Sequence, residues 1–224
     1  MTQLPLQLDV VSDVMCPWCY IGKRRLEKAV ELADVTLDLR WRPYQLDPTL
    51  PAEGKPRAAY LAEKFGSLER AGERYAAIRA AGAAEDIPFA FERIAMSPNT
   101  LDAHRLIRWA ANAGPEVQDR VVEALFRGYF VEGRDIGAHP VLVEIAAEAG
   151  MDAALVAELL AGEADRELVR REVDLAREMG VTGVPTFIIA NRYAVIGAQA
   201  PHQLAEAFQL AFAQEGADGN AAAG

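Results

Sequence analysis

Cysteine is almost missing from this chain: 224 residues hold two, Cys16 and Cys19. Histidine is nearly as scarce, at His104, His139 and His202. A zinc site needs about four ligands, and one Cys-x-x-Cys with no histidines paired at i, i+3 or i+4 does not supply them, so no metal or other cofactor is expected. Covalent haem attachment needs histidine directly after the second cysteine, where Tyr20 stands. No apolar run reaches the roughly 18 residues of a membrane span. The opening Met1-Thr2-Gln3-Leu4-Pro5 has no cationic segment followed by an apolar stretch, so no secretory signal is read and a cytoplasmic protein is expected. Basic residues are outnumbered, 23 against 33 acidic, for a formal charge of −10. That balance argues against nucleic acid or an anionic membrane as the main partner.

What the chain does have is concentrated in Cys16-Pro17-Trp18-Cys19. Thiol–disulfide exchange uses that spacing, because one thiolate attacks a partner disulfide and a neighbouring thiol resolves the mixed disulfide. The alternative is an inert buried pair, since free cysteine behaves as a small hydrophobe; proline and tryptophan between the two weigh against it. Leu6 to Ser12 alternates apolar and polar residues closely enough to read as a strand. From Cys16 onward the pattern turns helical, with Ile21, Leu26, Ala29, Val30 and Leu32 on one stripe. The motif is thus expected at a strand-to-helix junction, where unpaired first-turn N–H groups and the helix dipole favour a thiolate. Redox motifs in such settings lower a cysteine pKa from about 8.5 to roughly 3.5–7.5.

Hydrophobic residues make up 51% of the chain, enough for one large domain or one domain with an insertion. Thr36 to Arg42 alternates as a second strand, and Pro43, Pro48 and Pro51 then interrupt regular structure. From about Pro56 to Gly180 the signal is helical. One or two helices cover Pro56 to Ala81, with Tyr60, Leu61, Phe65, Leu68, Tyr75 and Ile78 expected in the core. Others run from Asn99-Thr100 to Gly114-Pro115, from Pro115 to Val131, from Pro140, and from Asp165 to Gly180 with Leu168, Val169, Leu175 and Met179 inward. Thr186 to Ala190 and Tyr193 to Ile196 read as a hairpin turning at Asn191-Arg192. Pro201 opens a last helix, and the residues after Gln214 read as a disordered tail.

Strand, helix, strand, helical block, hairpin and helix, with Cys-Pro-Trp-Cys at the first junction, resemble an α/β thioredoxin fold. The large all-helical insertion resembles that of the DsbA-like oxidoreductases, in their cytoplasmic FrnE-like branch. Four segments carry the resemblance: Cys16-Pro17-Trp18-Cys19 with Ile21-Gly22, Asn99-Thr100 with Ala103-His104-Arg105-Leu106, Gly180-Val181-Thr182-Gly183-Val184-Pro185-Thr186-Phe187, and Gly197-Ala198-Gln199. It implies a discontinuous thioredoxin-like domain over 1–54 and 180–215, an insertion over 55–179, and a tail over 216–224. It implies a dithiol–disulfide oxidoreductase or isomerase acting on disulfide- or thiol-bearing proteins or small molecules, glutathione among them. Cys16 would be the exposed nucleophile, Cys19 the shielded resolving thiol, and Val184-Pro185 a cis peptide facing them. Pro17, Trp18 and Val184 would meet the partner. The competing resemblance is to kappa-class glutathione transferases and 2-hydroxychromene-2-carboxylate isomerases, which carry serine at the position of Cys16. A non-enzymatic module with a thioredoxin-like groove is a third reading, against which the intact Cys-x-x-Cys counts. Asp13 reads equally as a turn acid or a carboxylate near Cys16. His104 reads first as a residue hydrogen-bonded within the helical block, and Gln199 carries no role.

Overall fold

The first strand, β1 (Leu6–Ser12), is buried along almost its whole length, including Asp9. Half-exposed alternation would suit an edge strand, whereas β1 is central and covered on both faces. It is followed by α1 (Pro17–Ala33) and β2 (Leu37–Pro43), which pairs with β1 in parallel from Leu6–Leu37 to Ser12–Pro43. Next come β3 (Lys55–Pro56), α2 (Arg57–Phe65), α3 (Leu68–Ala83) and β4 (Met96–Ser97). The helices α4 (Leu101–Asn112), α5 (Pro115–Arg127), α6 (His139–Glu148), α7 (Ala153–Ala161) and α8 (Arg166–Glu178) complete the block. The chain returns through β5 (Thr186–Ile189) and β6 (Tyr193–Ile196) to α9 (Pro201–Ala221). The computed structural model describes the backbone of residues 5–221 and the side chains of residues 5–214.

The main sheet has the order β2-β1-β5-β6, with β5 antiparallel to both neighbours. This is the mixed sheet of a thioredoxin fold, and the helical block lies between its βαβ half and its hairpin half. α1 packs against α9, and Leu8, Ile21, Phe187, Leu204 and Phe208 fill the space between sheet and helices with no exposed surface. Tyr20, the residue after the motif, ties α1 to the block. Its ring stacks on Phe126 at 5.1 Å and meets Phe89 edge-on at 6.1 Å.

Several expectations need correction. Leu32, Leu68, Leu175 and Met179 are exposed; the inward face of α8 is Val169, Val173 and Ala176. α5 ends at Arg127 and the chain continues to Glu132 as a π-turn. α7 gave little amphipathic signal because all of AALVAELLA except Glu158 is apolar, although Asp152 caps it by accepting from Ala154 and Leu155 N–H. β3 and β4 form a two-residue ladder inside the helical block, too short to leave a pattern. The hairpin turns at Ala190 and Asn191, both left-handed at φ 51° and 54°, with Arg192 N–H returning to the Ile189 carbonyl. Positive φ at both positions is the mark of a type I′ turn, which suits the twist of a hairpin, and with Ile189 paired to Tyr193 the loop holds Ala190, Asn191 and Arg192, one residue more than the sequence suggests. Of the expected tail, 216–221 continue α9 and 222–224 lie outside the described residues.

Candidate active site

β1 delivers the chain to Asp13, and three residues later Cys16 occupies the N-cap of α1 at φ −93°, ψ 113°. Pro17 takes the first helical position, where a missing N–H costs nothing. The turn is closed by backbone bonds from Cys16 N–H to Asp13 O at 2.9 Å and from Cys19 N–H to Cys16 O at 3.0 Å. No acidic residue stands in the first turn of α1, so nothing there opposes the dipole of the helix.

The two thiols differ in setting. Cys19 lies under the helix with 1% of its surface exposed. Burial pushes its pKa well above the ordinary thiol value, and the Cys16 sulfur beside it acts in the same direction; Ser12 and the Asp13 backbone pull weakly the other way. Cys16 is also largely covered, at 5% exposed, which corrects the expectation of an open nucleophile. It lines a groove of about 500 Å³ together with Pro17, Trp18 and Val184. Trp18 stands at the rim with 39% of its surface exposed.

The opposite wall comes from the loop before β5. The Val184–Pro185 peptide is cis, and the Cys16 Sγ lies 3.7 Å from the Val184 carbonyl oxygen. Pro185 is buried against α1, where a Cβ built on Gly22 would come 2.7 Å from its Cγ. Thr186 Oγ1 donates to Gly183 O at 2.7 Å, and Gly197 N–H donates to Pro185 O at 2.7 Å, so the loop is pinned at both ends.

Asp13 is fully buried, and its carboxylate accepts from Leu46 N–H at 2.7 Å and Met15 N–H at 3.4 Å. It therefore holds the loop that presents Cys16. His104 faces Asp13 across the boundary with the helical block, its Nε2 at 3.5 Å from Oδ1, rather than bonding within the block. Arg105 is the residue that does serve the block: fully buried, it donates to the carbonyls of Leu159, Gly162 and Ala164 and pairs with Asp102. Gln199 closes its own turn on the Ile196 carbonyl and is not among the groove residues.

Sequence reasoning missed the roof of the groove. Arg57, Tyr60 and Lys64 from α2, and Arg74 and Tyr75 from α3, line it with Cys16. Helical periodicity assigned the tyrosines to the core and gave the cations no meaning; only their placement over the thiol does.

The profile of the DSBA-like thioredoxin domain family matches residues 7–209. A probable DsbA oxidoreductase from Streptomyces coelicolor is similar over 93% of this chain and 90% of its own, with 32% identity and a TM-score of 0.83. A 2-hydroxychromene-2-carboxylate isomerase is similar over 95% and 98%, with 18% identity and a TM-score of 0.68. The cytosolic disulfide reductase DsbM from Pseudomonas aeruginosa, solved with glutathione, is similar over 95% and 98%, with 22% identity and a TM-score of 0.62. The last two likenesses are likenesses of fold.

Proposed function

The chain belongs to the DSBA-like thioredoxin domain family, and from that premise we propose that it exchanges disulfides with Cys16 as attacking thiol and Cys19 as resolving thiol. The observation that carries the assignment is the asymmetry of the pair. Cys16 opens onto the groove beside the Val184 carbonyl, while Cys19 is enclosed and held protonated by its burial.

In the reducing direction the Cys16 thiolate attacks one sulfur of a partner disulfide. A Cys16–partner disulfide forms, and the other half leaves as a thiolate that takes up a proton. Cys19 then gives up its proton and attacks the Cys16 Sγ. The Cys16–Cys19 disulfide forms, the second half of the partner leaves as a thiol, and two electrons have passed to the partner. The same steps reversed oxidise a dithiol, and a mixed disulfide resolved by the partner's own thiol is isomerisation. Pro185 contributes a wall without an N–H beside the sulfurs, and the Val184 backbone aligns an extended partner segment along the groove, with Pro17 and Trp18 as its floor and rim. The helical segment 55–179 supplies the roof as an insertion into a discontinuous thioredoxin-like domain.

A cytosolic setting and the narrower FrnE-like placement belong to the same proposal. The Pseudomonas neighbour is a cytosolic disulfide reductase, and two adjacent cysteines leave no thiols for structural disulfides. Glutathione is a candidate co-substrate on the same ground. The fold likeness to 2-hydroxychromene-2-carboxylate isomerase favours the competing reading, and a thiol count separates the two: disulfide exchange requires reversible loss of two thiols per chain. Cys16→Ser should abolish exchange, and Cys19→Ser should accumulate mixed disulfides detectable by mass. Complexes trapped through Cys19 in Cys16→Ser would reverse the assignment.

A further inference from the structure

Buried cations elsewhere in this protein have partners. Lys23, 4% exposed, meets Glu27, Asp119 and Glu123, and the fully buried Arg105 meets Asp102 and three carbonyls. Arg57 does not. It opens α2 with 7% of its surface exposed and makes no ion pair among the described residues. Its Nη1 donates to Tyr129 Oη at 3.1 Å, and its guanidinium lies 5.0 Å from the centre of the Tyr75 ring. Nη2 is buried with no hydrogen-bond partner. A buried guanidinium with no ion-pair partner is costly to maintain; the buried Asp13 acts electrostatically on its partner Tyr129 but forms no ion pair with Arg57, and Arg57 lines the groove that holds Cys16.

The surroundings point the same way. Lys64, beneath whose Nζ the Tyr60 ring lies at 5.1 Å, and Arg74, 5.4 Å from the Phe65 ring, line the same groove. No aspartate or glutamate does, in a chain with ten more acidic than basic residues. A groove of about 500 Å³ suits a small ligand rather than a folded surface.

We propose that Arg57 is the recognition residue for a carboxylate carried by the disulfide partner, so that the groove selects small peptidic disulfides bearing an anionic group near the attacked sulfur. The proposal rests on the disulfide-exchange reading of Cys16 and adds the class of substrate. The guanidinium fork receives the carboxylate on Nη2 while Nη1 stays on Tyr129, and Lys64 and Arg74 attract the anion at the groove mouth.

The test oxidises the reduced protein with glutathione disulfide, neutral 2-hydroxyethyl disulfide and cationic cystamine, each rate divided by that of free dithiothreitol with the same oxidant. Wild type should favour glutathione disulfide over cystamine by at least about tenfold. Arg57→Gln should lower the ratio of glutathione disulfide to 2-hydroxyethyl disulfide by about tenfold, the size of one lost charge-assisted contact, through weaker saturation and not a slower limiting step. Arg57→Lys, which keeps the charge and loses the fork, guards against misfolding and should lose part of the preference. S-methylglutathione, which has no reactive sulfur, should bind wild type and fail to bind Arg57→Gln in calorimetry. Equal preference in wild type and both variants, or unchanged S-methylglutathione binding, would overturn the role of Arg57. A preference for a long acidic peptide disulfide over glutathione disulfide would overturn the small-ligand class. If none of the three oxidants removes the two thiols, the exchange reading itself fails.

Discussion

Gly22→Ala tests the contact that fixes the wall of the groove. Gly22 lies three residues beyond Cys19 in the middle of α1, with ordinary helical backbone, so alanine is welcome on local grounds and worth about 0.8–1.0 kcal/mol. The new methyl would sit 2.7 Å from Pro185 Cγ, 3.4 Å from Pro185 Cβ and 3.5 Å from Phe187 Cζ. Carbon atoms prefer about 3.5–4.0 Å, so the closest contact is short by about 1 Å. A proline ring can withdraw Cγ only by a change of pucker, which leaves the contact to Pro185 Cβ in place, and Pro185 is tied to Gly197 through its carbonyl. The loop or the helix must therefore move. Overpacking of this kind costs about 1–3 kcal/mol, which exceeds the helical gain and leaves a net loss of about 1 kcal/mol. For a chain of this size that lowers Tm by about 2–4 °C.

The loss of turnover should be larger in proportion, since a shift of about 1 Å between reacting groups can cost about a hundredfold. Gly72→Ala in α3 is the control, because a methyl there meets nothing within 4 Å. It should stabilise by about 0.5–1 kcal/mol, the ordinary return on removing a helical glycine. Guanidinium unfolding and kcat/KM with one disulfide substrate decide the matter for both variants. Gly22→Ala as stable as wild type would refute the packing argument. A destabilised variant with unchanged kcat/KM would refute the role of Pro185 at the site.

Two further predictions concern pH. With its pKa pushed up by burial and by Cys16, Cys19 should stay protonated above the titration of free cysteine; a 13C-cysteine NMR titration that finds its Cβ shift moving in the ordinary thiol range would contradict this. Glu85, 7% exposed, is drawn in two directions: burial raises its pKa, but Lys28 and Arg25 outweigh burial and hold it below the ordinary carboxylate value. A depressed folded pKa contributes stability that is present above the unfolded value and lost as pH falls through the folded one. Glu85→Gln should thus narrow the gap in unfolding midpoint between neutral and acid pH, and an unaltered gap would show that the pair adds nothing.

The placement of the candidate site was legible because its residues are adjacent in sequence. Cys16, Pro17, Trp18 and Cys19 sit on one turn, and a strand-to-helix change in periodicity announces where that turn lies. The βαβ unit and the hairpin were legible for similar reasons: each is set by patterns within about ten residues. What failed was anything decided by distant surroundings. Leu175 and Met179 share an apolar stripe with Leu168, yet α8 turns them to solvent and buries the neighbouring Val169, Val173 and Ala176. α7 is apolar except at Glu158, too little contrast to mark a face. Cys16 meets the Val184 carbonyl of the loop before β5, from the far end of the chain.

That separation also divides the labour of the groove. The thiols, the proline wall and the loop acid Asp13 all belong to the βαβ half and the loop before β5, and in the proposed exchange they carry the sulfur chemistry. Arg57, Tyr60, Lys64, Arg74 and Tyr75 come from two helices of the inserted block and touch none of the redox chemistry. A partner that reaches Cys16 along this groove meets those five residues. The charge that a partner meets there is positive, although the chain as a whole is negative. Net charge excludes partners that bind by broad electrostatics, as nucleic acid does; it says nothing about a groove of molecular width. On the proposed reading substrate choice is carried by the insertion, and substitutions at the groove-lining residues of α2 and α3 would alter it while the Cys-Pro-Trp-Cys turn stays as it is.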